Sequence, residues 1–243
     1  MIICEIGLNH MGDEKYVKEY LKIIIHAKAD GVLFHIREKS FYDQYPELKL
    51  SDKFYEVISK ILKKNKIKFG ITLADPEKIE FCKKLNVDFY KIFSKDILYK
   101  ELITNVISSK KRILVSTGMS DINEIKKFVN LIKNNKKQIT LIHTQLDNSI
   151  EKVNLKAILL LKEKFNMNTG YGNHASNTYT IYASIAYEPS DILFYVKGTK
   201  VRKHIDDPHA VQLIDLKIFI QNMNELKKSI GKKTKIKMKA NIK

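Results

Sequence analysis

Eight short β-branched or apolar runs, alternating with stretches of helical periodicity, constrain this chain more than any other feature. The runs are Ile2–Ile6, Val32–Ile36, Lys68–Leu73, Phe89–Phe93, Ile113–Ser116, Ile139–His143, Thr169–Gly172 and Ile192–Val196. Helical patterns lie between them at Glu14–Lys28, Asp52–Asn65, Glu77–Leu85, Ile122–Asn134 and Asn154–Lys164, and a final one at Val211–Ser229 closes the chain. In the first helix Tyr16, Val17, Tyr20, Leu21, Ile24 and Ile25 recur at helical spacing with lysines between them. Strands alternating with helices read as a parallel sheet, because a parallel pair needs a long crossover connection. At 243 residues a closed barrel fits better than an open sheet, since such barrels typically take ~250 residues. The expected fold is a single (β/α)8 TIM barrel over residues 1–230, with a lysine-rich tail at 231–243 and no linker dividing the chain.

Composition removes several function classes. No apolar run approaches the ~20 residues of a membrane span. The N-terminal MIICEIGLNH lacks a charged leader and enters directly into a motif, so no signal peptide is expected and the compartment is read as cytoplasmic. Cys4 and Cys82 form neither a disulfide framework nor a metal-ligand spacing. The formal charge of +17 suggests nucleic acid at first sight, but only Arg37, Arg112 and Arg202 are arginine. Bidentate recognition of phosphate or guanine favours arginine, so the lysines read as solvated helix faces whose field draws in small anions. No nucleic-acid or membrane partner is expected.

In a barrel of this kind the chemistry gathers at the C-terminal ends of the strands. That rim is polar here: Asn9, His10, His35, Arg37, Thr72, Asp75, Lys91, Ser94, Ser116, Thr117, His143, Asn173 and His174 all fall on it. Ser116–Ser120 sits at a strand-to-helix turn. Such a turn offers backbone N–H groups to an anion, or is an ordinary βα turn capped by Ser120 or Asp121. Lys91 either points into the barrel and needs an anionic partner, or faces outward to solvent. His10, His35, His143 and His174 are candidates for metal binding or proton transfer. Neither an HExxH helix nor a glycine-rich nucleotide loop is present.

Several segments, in order, resemble sialic acid synthases. Glu5–Asp13 is similar to that family's EIGxNHxGD, Ala29–Val32 to the approach to its second strand, and Asp88–Ser94 to its DxxKIxS. Ser116–Ser120 matches STGMS, Leu141–His143 resembles its LLH strand, Asn154–Phe165 its NLxAIxxLKxxF helix, and Gly170–His174 its GYSDH. The resemblance implies a barrel enzyme that condenses phosphoenolpyruvate with an acylated amino sugar to give a nonulosonic acid. It implies that Thr72, Lys91, Ser94 and Ser116 contact phosphoenolpyruvate, that Asn173 lines the substrate site, and that His174 is one of two histidines holding manganese or magnesium. His10, His35, His143 and Arg37 are the catalytic candidates, and a homodimer is the implied assembly.

The same comparison implies losses. The family's second-strand KFQ is Leu33-Phe34-His35 here, with Arg37 on Leu33's strand parity as a partial replacement. Its eighth-strand ExH, an acid and the second metal histidine, aligns with Phe194-Tyr195-Val196. Met11 stands after the NH pair, Gly172 and Asn173 replace the serine and aspartate of GYSDH, and Thr144–Asn148 lacks the family's tyrosine-proline. A counterpart of the family's C-terminal antifreeze-like domain, which sends an arginine into a partner's site, is not expected. These departures imply a weak metal site. Three readings stay open: a divergent synthase, a binding or regulatory partner of a complete synthase, and the same barrel with changed carbohydrate chemistry.

Overall fold

A computed structural model describes residues 1–200, 203–235 and 237. Most of the lysine-rich tail, 236 and 238–243, lies outside the described residues. The strands are β1 (Ile2–Gly7), β2 (Gly31–Ile36), β3 (Lys68–Leu73), β4 (Phe89–Ile92), β5 (Arg112–Ser116), β6 (Ile139–His143), β7 (Asn168–Gly172) and β8 (Ile192–Lys197). Each pairs in parallel with the next, and β1 pairs with β8, so the sheet closes into an eight-stranded barrel. A two-residue strand β9 (Val211–Gln212) extends β8 outside the ring. It occupies the start of the segment that the sequence pattern assigns to the last helix, which begins only at Leu216.

The helices are α1 (Glu14–Ala27), α2 (Lys39–Gln44), α3 (Asp52–Lys64), α4 (Ile79–Lys84), α5 (Lys100–Ser108), α6 (Ile122–Leu131), α7 (Ala157–Phe165), α8 (Tyr179–Ser184) and α9 (Leu216–Ile230). Their starts are chemically marked. Asp13 accepts from the Lys15 and Tyr16 amides, Ser51 from Phe54, and Asp121 and Glu124 form a reciprocal capping box. Among the described residues no helix is long and apolar enough to cross a membrane.

Strand alternation sorts the side chains into two sets. Ile3, Leu33, Phe89, Leu114, Ile142 and Leu193 form an isolated cluster that fills the lower barrel. The residues between them, such as Cys4, Val32, Phe34, Tyr90, Val115, Leu141 and Phe194, pack outward on the helices. Gly70 supplies no side chain to the inner layer because Phe89 takes its space: a Cβ on Gly70 would sit 2.3 Å from the Phe89 ring and 2.9 Å from Leu33. Two residues further along each strand the lining changes from apolar to polar. Beneath the barrel, Arg112 is ion-paired with Asp191 and donates to Thr140 Oγ1 at 3.0 Å, tying β5 and β6 to the start of β8.

Gly70→Ala should therefore destabilise the fold by ~1–3 kcal/mol through overpacking, since the Phe89 ring is enclosed on all sides. Urea unfolding should show a lower midpoint with an unchanged far-UV spectrum.

Candidate active site at the barrel mouth

The polar layer begins with a buried ion pair. Lys91 points into the barrel, and its Nζ donates to Glu5 Oε1 at 2.6 Å and Oε2 at 2.8 Å. His35 Nε2 lies 2.7 Å from Glu5 Oε1. Burial on its own would raise the Glu5 carboxyl, but Lys91 and His35 outweigh it and hold the group well below the usual range. Burial lowers His35 despite the opposing pull of Glu5, so a neutral His35 donates its Nε2 proton to the carboxylate. Register sets Thr72 beside both, opposite His35 on one side and Lys91 on the other. Its Oγ1 is buried with no partner.

A second group is built of hydroxyls. Ser94 Oγ donates to Ser116 Oγ at 2.9 Å and accepts from the Gly118 amide at 3.2 Å. Thr144 packs against Gly118, where a Cβ would lie 2.8 Å from its methyl, and its buried Oγ1 has no partner.

The third group descends from the segment between β8 and β9. Asn9 holds it: its Nδ2 donates to the Val196 carbonyl at 3.0 Å, and its Oδ1 accepts from the Asp206 amide at 3.0 Å. Tyr16 OH meets His204 Nε2 at 2.9 Å, and Lys197 pairs with Asp207. The Asp206 carboxyl then hangs over Gly7, where a Cβ would lie 2.9 Å from Tyr195, 3.2 Å from His35 and 3.4 Å from Asp206 Oδ2. Gly7 has φ +56°, a second reason for glycine there. Burial, then the charge of Glu5, pushes the Asp206 carboxyl up to about 8. The mouth thus holds one ionised and one protonated carboxyl, a division characteristic of acid–base sites.

His209 from the same segment lies with its ring 4.7 Å from that of His174 and 5.1 Å from that of Tyr195. Both His209 nitrogens are buried without a partner. Burial, then its companion His209, lowers His174 to about 3, and burial lowers His209 to about 4. Among the described residues no set of three or more His, Cys, Asp or Glu is arranged to hold a metal. The two imidazoles stand as a pair.

Of the residues picked from sequence, Lys91, Thr72, Ser94, Ser116, His35 and His174 face the mouth. Three others serve the scaffold. His143 follows the inward-facing Ile142, so alternation turns it to the helices, where Nε2 donates to the Val153 carbonyl at 2.8 Å. Asn173 likewise follows Gly172 and binds Tyr171 OH, the Ala175 carbonyl and Thr180 Oγ1 at 2.8–2.9 Å. His10 accepts the Gly12 amide on Nδ1 at 2.9 Å and lies against Phe34, an outward residue. Arg37 shares the inward parity, but its guanidinium is held by Glu38 at 2.9 Å and stacks on Phe41 at 4.0 Å, so it does not stand in for a lysine at Leu33. Phe194 and Val196 pack outward, and Tyr195 is the β8 residue that reaches the mouth. Sequence reasoning passed over Glu5, Asp206 and His209 as site residues. A lone carboxylate within the apolar run Ile2–Ile6 marked the first; nothing local marked the other two.

Fold and site together define a parallel α/β barrel with a buried cluster of ionisable groups at the C-terminal mouth. The sequence matches the profile of the NeuB family over residues 17–235, and the chain belongs to that sialic-acid-synthase-like family. It is 32% identical to a protein of Methanocaldococcus jannaschii over 98% of this chain and 74% of that one. It is 25% identical to the N,N'-diacetyllegionaminic acid synthase of Campylobacter jejuni over 95% of this chain and 77% of the relative. In structure it resembles an N-acetylneuraminic acid synthetase of Leptospira borgpetersenii, with a TM-score of 0.89 at 23% identity over 98% of this chain and 87% of that one.

The raised Asp206 carboxyl has a consequence for stability. Between 3.8 and about 8 the folded chain keeps a proton that the unfolded chain has released, so this group's contribution is complete below that window and falls as pH rises through it. Asp206→Asn should flatten that part of the profile. Urea midpoints at pH 5 and pH 8 in chelator-treated buffer should differ less for the variant than for the parent.

Proposed function

We propose that this chain condenses phosphoenolpyruvate with the aldehyde form of an acylated amino sugar to give a nonulosonic acid and phosphate. The observation that carries the reading is the meeting, at one barrel mouth, of an inward lysine, four hydroxyl side chains and two carboxyls held in opposite protonation states. Lys91 spends two of its three N–H donors on Glu5 and keeps one for an anion. Ser94, Ser116, Thr72 and Thr144 lie on the neighbouring strand ends, suited to a phosphate or carboxylate. Carbon–carbon bond formation at an aldehyde turns its oxygen into an alkoxide that needs a proton, and Asp206 is the group holding one. Release of phosphate consumes a water whose proton the departing phosphate takes, being a far stronger base than Glu5, which stays ionised and holds Lys91 in place. In this reading His35 orients Glu5.

The family resemblance implies a divalent metal at His174, and the surroundings fit one. The imidazole is kept neutral by burial and faces a second imidazole whose nitrogens have no partner. A metal bound there would supply Lewis-acid polarisation of the acceptor carbonyl.

Calorimetry with phosphoenolpyruvate tests the anion site. Lys91→Ala should weaken binding about a hundredfold or more, as truncation of a buried charged contact does. Ser116→Ala leaves the Glu5–Lys91 pair intact and should weaken binding about tenfold for one lost charge-assisted hydrogen bond. Unchanged affinity in both would remove the phosphate assignment. Product analysis by mass spectrometry with a panel of acylated amino sugars tests the reaction. With N-acetylmannosamine, turnover should fall well below the ~10 per second typical of enzymes, because β8 offers the mouth a tyrosine instead of an acid or a histidine. Tight phosphoenolpyruvate binding with no product from any acceptor would favour a binding role over catalysis.

A further inference from the structure

His174 and His209 come from different loops, one after β7 and one before β9, and the fold brings their rings to 4.7 Å with 31° between the planes. His209 is only 9% exposed, yet neither of its nitrogens has a hydrogen-bond partner. A buried polar atom left unpaired is destabilising, and this ring leaves two. A histidine serving as a proton relay would be oriented by a carboxylate or carbonyl on its second nitrogen. His209 has none, whereas His35 and His143 in the same protein are each oriented by such a contact. The segment carrying His209 is fastened just before it, by Asn9 to Asp206 and by Lys197 to Asp207, and just after it by the pairing of β9 with β8, so the backbone that carries the ring is fixed beside His174.

We propose that His209 is the second protein ligand of a divalent-metal site shared with His174, and that this site prefers zinc, cobalt or nickel to magnesium. The preference follows from the donors: imidazole suits the borderline transition ions, while magnesium demands oxygen ligands. With two protein ligands and no third His, Cys, Asp or Glu completing the set among the described residues, water or substrate oxygens fill the remaining positions. The ion is therefore exchangeable and open to a carbonyl. His209 also supplies, from a loop, the imidazole that β8 does not bring to the mouth. What the ion does in catalysis rests on the function proposed above; its binding does not.

The full-length chain, stripped with a chelator, is titrated with cobalt(II), zinc or magnesium by calorimetry, and the cobalt form is followed by its visible absorption. One transition ion per chain is expected, bound at least tenfold more tightly than magnesium. His209→Ala and His174→Ala should each weaken cobalt binding about tenfold or more and change the spectrum, as loss of a ligating side chain does. His26→Ala, at an exposed histidine on α1, should leave both unchanged. Pulsed electron paramagnetic resonance of the copper(II)-loaded parent counts coordinating imidazoles without any substitution, so a variant that fails to fold does not block the test. Two are expected. One imidazole, unaltered affinity in His209→Ala, tighter magnesium binding, or no ion taken up would each overturn the proposal. A chain that binds cobalt through both histidines but does not bind phosphoenolpyruvate would sink the synthase reading and leave the metal site standing.

Discussion

The organisation of the mouth depends on the Glu5–Lys91 pair. Two opposite charges buried inside a barrel are tolerable only together, since an unpaired one costs several kcal/mol in desolvation. The pair joins β1 to β4 across the lumen and sets the state of its surroundings. Glu5 takes the His35 proton donor and so fixes that ring, and its negative charge helps keep Asp206 protonated. Lys91 lies 5.9 Å from the Tyr195 ring, which in turn forms a wall of the pocket shared by His174 and His209. Exchange of either charged residue would alter every titratable group at the mouth.

The barrel below gives the pair a rigid floor. Six large apolar side chains close the lower lumen, and Gly70 leaves room for Phe89 to cross it. The charges above face this buried apolar floor and a polar lid. That setting strengthens electrostatic contacts within the mouth and makes its unpaired hydroxyls and imidazoles costly until a ligand meets them. Thr72, Thr144, Asp206 and His209 are four of the groups so orphaned; His10, Tyr90, Asp96 and Gln212 also carry a buried polar atom without a partner.

The family's eighth-strand acid and histidine have no direct replacement on β8. Phe194 and Val196 serve the helical side, and an additional acid and imidazole reach the mouth from the following loop, Asp206 and His209. Chemistry carried on a loop tolerates sequence change at a strand better than chemistry built into the strand itself, because the loop backbone is set by its own anchors. Asn9 is one such anchor, reading both the Val196 carbonyl and the Asp206 amide.

Local pattern left the direction of Lys91 open, and the grouping of Lys91, Thr72, Ser94 and Ser116 came from the family resemblance, but pattern alone determined the alternation of strands and helices, the closure expected at this length and the rim on which chemistry collects. Those follow from periods of two and 3.6, which are properties of short segments. Strand parity also contained the correction for His143 and Asn173, each one residue out of phase with an inward neighbour. Only the tertiary structure decided that Lys91 meets Glu5, 86 residues away, that Asp206 stays protonated, and that His174 faces His209. These depend on closure of the barrel and on where the loop after β8 is fastened. Desolvation and charge proximity are set by the whole assembly, so no window of sequence carries them.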